Sequence, residues 1–381
     1  MKKNFLFIYT TKKSKIYKER FFFNYFKKKF NTKILTINRQ KKKEIFPNKK
    51  LQDLILIVKG FQPNYLIVIS NYEEEKKIIY NKCKNINNIK LIDLHLNDNC
   101  FEQNLENLSK VFKSNFSNMI FEKFFFQFFI LFKIIWIYLK KFKYQKSLGY
   151  NLDYFFYSGL SGKSKYQFKQ SKLTFNVPSF DNLRSYNLKK ISFPKKKYIL
   201  FQDEMLVDHQ DIKLLNEKSP ENQHYYNKLN YFFDYLEKKF NYEVIISLHP
   251  RANLKKSKKL FNQRNCRLHL TAELVKKSEF TCLHASTTSI SFPVIFNKKI
   301  LVLSSNNILK NYNYRFRLEL LLNYLNLVDL NIDKMKYFES KLNEFSKCTI
   351  NQKKYLHYKK NYLGPKVKKY RNFFDICKDK L

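Results

Sequence analysis

Glycine is nearly absent from this chain, with five in 381 residues. The common phosphate loops need several at close spacing, because only glycine lets a backbone turn tightly beneath a pyrophosphate. No Gly-x-Gly-x-x-Gly and no Walker-type run occurs, so dinucleotide and P-loop binding by those loops are excluded. The six cysteines, Cys83, Cys100, Cys266, Cys282, Cys348 and Cys377, are scattered, with no Cys-x-x-Cys pair and no histidine at metal-ligand spacing. They read as reduced thiols of a cytoplasmic protein, and no metal is expected. Long apolar runs are missing too. The nearest is "FFFQFFILFKIIWIYLKKFK", Phe124 to Lys143, whose apolar part stops after 16 residues at Leu139, short of the ~20 that a spanning helix needs. It reads either as a helix buried in its domain or as an interfacial helix with its aromatics at a headgroup layer. The amino-terminal "MKKNFLFIYTTKKSK" has too short an apolar run for a signal peptide and reads as a first strand.

The other scarcity is acid. Lys and Arg number 74 against 31 Asp and Glu, a net charge of +43. Such a surplus favours anionic partners, either nucleic acid or an anionic membrane surface. Only nine of the basic residues are Arg, and the abundant Lys, Asn, Ile, Phe and Tyr all have AT-rich codons, so genome composition accounts for the same surplus. No RNP, helix-turn-helix, zinc or KH pattern is present, and no nucleic-acid partner is expected.

What is present is an alternation of short apolar runs with helix-sized segments. "FLFIYT" (Phe5 to Thr10), "KILTI" (Lys33 to Ile37), "YLIVIS" (Tyr65 to Ser70), "IKLIDL" (Ile89 to Leu94) and "LDYFFYS" (Leu152 to Ser158) form a first series. "KYILFQ" (Lys197 to Gln202), "EVIISL" (Glu243 to Leu248), "FTCL" (Phe280 to Leu283) and "ILVLS" (Ile300 to Ser304) form a second. Strands spaced in this way predict β-α units on parallel sheets. Tyr225, Leu229, Phe232, Leu236 and Phe240, three and four apart, predict a helix before the second strand of the later series. The fold class expected is α/β, two Rossmann-like domains. The first spans 1–185 and includes segment 124–143, the second spans 186–381, and the weakly patterned 161–194 is the connection between them.

Ligands in open α/β sheets bind outside the carboxyl ends of the strands. In the second series those ends carry Asp203 and Glu204 ("FQDEML"), His249, Pro250 and Arg251 ("SLHPRA"), and Ser286, Thr287, Thr288 and Ser289 ("HASTTSIS"). A carboxylate there can take a proton from a hydroxyl nucleophile. Extended neighbours point to opposite faces, so one of Asp203 and Glu204 should face the substrate. His249 can donate to an anionic oxygen, with Pro250 holding the turn. Hydroxyls that lead into a helix cap its N–H groups and offer a phosphate site, although Pro293 requires that helix to be short or to start late. Glu273, in the first turn of a helix, either complements the helix dipole or accepts ribose hydroxyls.

The order "FQDEM", "SLHPRA", "TAELVKKSEFTCLHASTTSISF" resembles the carboxyl-terminal half of GT-B glycosyltransferases of bacterial surface-polysaccharide synthesis (capsule and lipopolysaccharide). In particular it resembles the group with D/E, HP and Ser/Thr motifs that includes bacterial sialyltransferases and Kdo transferases. The likeness covers roughly Lys197 to Ser304. It implies two domains facing a cleft, Asp203 (or Glu204) as general base, His249 as a contact to the donor phosphate, and Ser286 to Thr288 as a phosphate clamp. It further implies a metal-independent inverting transfer, with no cofactor beyond the nucleotide-sugar, CMP-sugar favoured. The partners implied are that donor and a saccharide or lipid-linked saccharide acceptor, with peripheral contact to an anionic membrane at its cytoplasmic face. One departure stands out: the group's acidic motif commonly ends in Gly, and here Met205 follows. The alternatives are a catalytically inactive GT-B-like binding or scaffold protein, a nucleotide-sugar epimerase, and a basic nucleic-acid-binding protein.

Overall fold

The computed structural model describes residues 2–10, 23–37, 48–70, 73–86, 88–96, 128–135, 151–166, 171–207, 219, 221–284, 288–366 and 373–380. The chain divides into two compact units, each built on a parallel six-stranded sheet. The first unit takes Met1–Asp98, Phe142–Leu183 and Lys360–Leu381; the second takes Asn99–Lys141 and Arg184–Lys359.

The first sheet consists of β1 (Asn4–Tyr9), β2 (Asn31–Thr36), β3 (Tyr65–Ile69), β4 (Lys90–His95), β5 (Leu152–Tyr157) and β6 (Ser171–Asn176), in the order β2-β1-β3-β4-β5-β6. Successive residues of β1 go to opposite faces, and both faces are covered. Phe5 and Phe7 join one core with Ile67, Ile92 and Phe156, while Leu6 and Ile8 join another with Leu66, Val68 and Phe155. This is why the strands read as continuous apolar runs rather than as alternation.

The second sheet consists of β7 (Tyr198–Gln202), β8 (Glu243–Leu248), β9 (Cys266–Leu268), β10 (Phe280–Leu283), β11 (Lys299–Ser304) and β12 (Val328–Asn331), in the order β12-β11-β10-β7-β8-β9. The helix expected from Tyr225 onward runs His224–Phe240 and buries Tyr225, Leu229, Phe232 and Leu236. The chain lays strands outward from β7 through β8 to β9, then returns to the other side of β7 for β10, β11 and β12. The strand order therefore reverses between β7 and β10, and the carboxyl ends beside such a reversal are where open α/β sheets bind ligands, in a crevice.

Several features differ from the sequence reading, which also left β9 and β12 unmarked. The stretch 161–194 is not a bare connection: it contains β6 and the helix Phe180–Tyr186. β6 went unread because it is an edge strand, with Lys172, Leu173 and Thr174 all exposed. The described part of segment 124–143, residues 128–135, lies in the second unit and not the first, because Ile130 packs on Phe316 and Leu320. The carboxyl terminus also changes sides: residues 360–381 return to the first unit. There the helix Phe373–Lys380 sets Phe373 against Phe26 and Phe156, with ring centroids 5.5 and 4.7 Å apart.

Two of the scarce glycines make this return possible. Gly159 and Gly364 both have left-handed φ, +68° and +69°, and a Cβ on them would lie 2.2 Å from the Asn361 carbonyl oxygen and 2.5 Å from that of Val177. Either approach requires backbone with no side chain. Gly159→Ala or Gly364→Ala is therefore expected to destabilise the first unit by at least about 2 kcal/mol. Gly60 lies in the helix Asn48–Phe61 with nothing within 4 Å of its Cβ position, so Gly60→Ala should instead stabilise by up to about 1 kcal/mol. Urea unfolding of the three variants measures the contrast.

Candidate functional site

β7 is buried along its whole length, "YILFQ", and its last residue carries an amide into the crevice between β7 and β10. Gln202 is 2% exposed; its Oε1 accepts from the Ser289 hydroxyl at 2.5 Å, while its Nε2 is buried with no hydrogen-bond partner among the described residues. This contact bridges the two strand ends at the point where the strand order reverses.

Asp203 follows. Its N–H extends the ladder to the Ser247 carbonyl at 2.9 Å, and its carboxylate accepts the backbone N–H of Met205 at 3.0 Å and the backbone N–H of His249. The acidic and His-Pro motifs are thus joined directly, carboxylate to main chain. Burial pushes the Asp203 pKa from 3.8 up to about 6, against the opposing pull of those two N–H groups. Met205, whose N–H closes this Asx turn, has left-handed backbone, φ +54°. The related motif's glycine would occupy this position without strain, and here a methionine accepts it.

The HP motif explains itself locally. The Ala252 N–H donates to the His249 carbonyl at 2.8 Å, closing a four-residue turn with Pro250 in the second position, where its fixed φ belongs. Within the turn the Arg251 N–H donates to His249 Nδ1 at 3.2 Å. Nδ1 accepts, so in the neutral ring the proton sits on Nε2, which makes Nε2 the donor that His249 presents. Pro250 and Arg251 are exposed and His249 is partly so.

Beneath these groups lies a polar layer that the sequence reading did not identify. His284, directly after β10, is 1% exposed, and burial lowers its pKa to about 4. Its Nδ1–H donates to the Leu303 carbonyl at 2.8 Å, so Nε2 accepts from the Tyr225 hydroxyl. Tyr225 is itself buried, and its pKa is raised by burial first and then by the charges of Asp203, Tyr226, Glu221 and Glu204. Glu221, 6% exposed, accepts from the Ser305 hydroxyl and from Asn307 Nδ2, the latter at 3.1 Å. One signal was available: His284, like His249, stands immediately after an apolar strand. Tyr225 was legible only as a core position, and Glu221 had no signal in "SPENQH".

The remaining expected residues fall out differently. Glu204 is 8% exposed and, like Asp203, lies close enough to Tyr225 for its charge to be felt. The alternation argument fails because β7 ends at Gln202, and residues in a turn do not alternate. Glu273 is corrected: it is 1% exposed, with Oε1 taken by Arg184 at 2.5 Å and by the Lys189 N–H at 2.8 Å. That leaves no approach for a ribose; the carboxylate pins residues 184–189 to the helix Thr271–Lys277. Ser286 and Thr287 lie outside the described residues. Thr288 opens a 3-10 turn, Thr288–Ile290, that leads into a helix of only five residues, Ser291–Ile295, with Pro293 inside it. So short a helix has little dipole to offer a phosphate.

No family model matches this chain, and no curated protein matches it in sequence. Solved structures do. Spinosyn rhamnosyltransferase SpnG complexed with thymidine diphosphate matches with a TM-score of 0.51 at 6% identity, covering 98% of this chain and 99% of that one. Spinosyn forosaminyltransferase SpnP matches at 0.46 and 10% identity, covering 99% and 97%. UDP-N-acetylglucosamine 2-epimerase from Rickettsia bellii matches at 0.40 and 13% identity, covering 79% of each chain. The likeness to SpnG is one of fold: two parallel α/β units of the GT-B kind.

The raised Asp203 pKa fixes the sign of a pH effect. Folding favours the protonated carboxyl, so that contribution to stability is present below about pH 4 and is lost as pH rises through about 6. Asp203→Asn removes the ionisation and keeps an acceptor oxygen. The variant is expected to exceed wild type by about 3 kcal/mol at pH 8, with the gap closing below pH 4; urea titrations at the two pH values measure it. At the neighbouring strained position, Met205→Gly should raise the unfolding midpoint and Met205→Val lower it, each by about 1 kcal/mol.

Proposed function

We propose that this protein is a nucleotide-sugar-dependent glycosyltransferase of bacterial cell-surface polysaccharide synthesis, metal-independent and inverting. The observation that carries the proposal is the junction of Asp203 with His249: a carboxylate whose pKa is raised to about 6, tied to the main chain of a histidine that presents Nε2–H. At pH 7 such a carboxylate is mostly ionised and more basic than an ordinary aspartate, which suits a general base.

In the reaction, Asp203 takes the proton of the acceptor hydroxyl as its oxygen bonds to the anomeric carbon. The bond from that carbon to the donor phosphate oxygen breaks, and its electron pair leaves with the nucleotide. His249 Nε2–H and Arg251 meet the charge that develops on the phosphate, with Thr288 and the hydroxyls of Ser286 and Thr287 as further donors. Pro250 fixes the turn that aims the ring. Glu204, the next residue, is the alternative base. The acceptor is a saccharide or a lipid-linked saccharide, and the enzyme works in the cytoplasm at the inner face of the membrane. A CMP-sugar is the favoured donor, because it is the donor of the HP-motif transferases that the strand ends resemble. A thymidine diphosphate sugar is the second reading, suggested by the ligand of SpnG.

Thermal unfolding of the full chain with CMP, UDP, GDP, ADP and TDP, each at about 100 times its dissociation constant, decides among them. Occupancy at that excess adds about 2.7 kcal/mol, a shift of a few degrees. The account expects CMP alone to shift the transition, His249→Ala to abolish the shift, and Asp203→Asn to keep it. In turnover assays with the donor so identified, Asp203→Asn should lower kcat by about 10²-fold or more, and the wild-type rate should rise with pH through a midpoint near 6. No shift with any nucleotide would favour a scaffold over an enzyme.

A further inference from the structure

The strands of the second sheet send alternate side chains to two faces. Phe201, Ile246, Leu301 and Leu303 meet in one core, while Tyr198, Leu200 and Ile245 meet Ala272, Leu274 and Phe292 on the other side. On that second face the rows end in polar side chains. Alternation places Gln202 there after Leu200 on β7, Ser247 after Ile245 on β8, and Ser304 after Val302 on β11. All three are buried. Ser247 is satisfied, because its hydroxyl pairs with that of Thr271 at 2.8 Å. The other two are not. Gln202 spends Oε1 on Ser289, and neither its Nε2 nor the Ser304 hydroxyl has a hydrogen-bond partner among the described residues. Buried polar atoms are nearly always paired, since an unpaired one bears its whole desolvation cost. Two such atoms on one face of the sheet point to a ligand.

Their positions narrow its chemistry. Leu283, the last residue of β10, pairs with Gln202 on one side and with Val302 on the other, so Ser304 stands two residues beyond. The chain leaves β10 between these two and enters the hydroxyl cluster Ser286 to Ser289. Strands two apart in a sheet lie about 10 Å from each other. A phosphate that accepts from a donor on either side spans about 8 Å from donor to donor, and the reach of the glutamine side chain takes up the difference. With Oε1 taken, the Gln202 amide can only donate, and a serine hydroxyl rotates to donate as required. The pair therefore suits an oxygen acceptor. Both groups are also neutral, so they hold a phosphate without placing a cation beside Asp203, where it would make the carboxylate a weaker base.

We infer that Gln202 and Ser304 are two further hydrogen-bond donors to the phosphate of the nucleotide-sugar, with Ser289 as the positioning residue that keeps the Gln202 amide turned to donate. The inference rests on the transferase reading, since it needs a nucleotide at these strand ends.

Isothermal titration of the full chain with CMP and with TDP, paired with urea unfolding of the ligand-free protein, tests it. Gln202→Glu keeps the acceptor for Ser289 and replaces the donor with an oxygen; it is expected to weaken nucleotide binding at least tenfold at pH 8. Ser289→Ala should weaken binding about threefold in the wild-type background and hardly further in Gln202→Glu. Ser304→Ala should weaken it about threefold while its urea midpoint equals or exceeds that of wild type, because the variant loses an unpaired buried hydroxyl. A less stable Ser304→Ala with unchanged affinity would make the residue structural and overturn the inference, as would Gln202→Glu binding within twofold of wild type. A readout on the unmodified chain comes from glutamine side chains labelled with nitrogen-15, the Gln202 signal being the one that Gln202→Glu removes. That signal should move with CMP or TDP and stay in place with cytidine or thymidine at the same concentration. Movement with the nucleosides too, or with none of the four, would overturn the assignment to phosphate. Nucleotide binding that His249→Ala abolishes and these variants retain would remove this inference alone, whereas a wild type that binds no nucleotide would remove the transferase reading with it.

Discussion

The carboxylate of Asp203 and the main-chain N–H of His249 hold the ends of β7 and β8 in one place, and most of what is distinctive about the second unit serves that contact. Parallel strands bring their carboxyl ends to the same side, and the reversal of strand order between β7 and β10 puts beside them the place where open α/β sheets bind ligands. A carboxylate set there loses water and would ordinarily become neutral. Two N–H donors keep it ionisable within the physiological range. One of those donors comes from Met205, in left-handed backbone, and the other from His249, which opens the His249–Ala252 turn.

The layer beneath is held to a fixed protonation state. His284 is neutral, with its tautomer set by the Leu303 carbonyl, and therefore takes the Tyr225 proton as a hydrogen bond. Tyr225 stays protonated because burial and the surrounding carboxylates oppose its ionisation. Glu221 is engaged by Ser305 and Asn307. Breaking one member of such a network leaves its partners buried and unsatisfied, which costs more than the net worth of any single bond. The layer therefore gives the crevice a rigid floor, with Asp203 as the group poised to change charge.

The sequence made the frame legible wherever a strand was buried on both faces. The nine expected strands are all present, and the HP turn forms as Pro250 required. What stayed hidden depends on partners distant in sequence. β6 lies at an edge and shows no apolar run. The return of residues 360–381 depends on Gly159 and Gly364 meeting backbone far along the chain, a requirement that two glycines cannot announce. Glu273 looked like a ligand-facing carboxylate because a glutamate in the first turn of a helix reads the same whether it faces a ribose or Arg184. Tyr225 showed its place in the core but not its hydroxyl's partner. Segment 124–143 was read as either buried or interfacial; in its described part, one face is packed and the other exposed.

The central claim is that Asp203 is a titrating carboxylate placed beside the phosphate of a bound nucleotide. Carboxyl carbon-13 titration of the labelled protein, free and saturated with the nucleotide that stabilises it, tests this directly. The account predicts a midpoint near 6 for Asp203 in the free protein and an upward displacement when a phosphate binds at His249, since a second negative charge disfavours the ionised form. A midpoint near the ordinary aspartate value, or one that does not respond to the nucleotide, would contradict it.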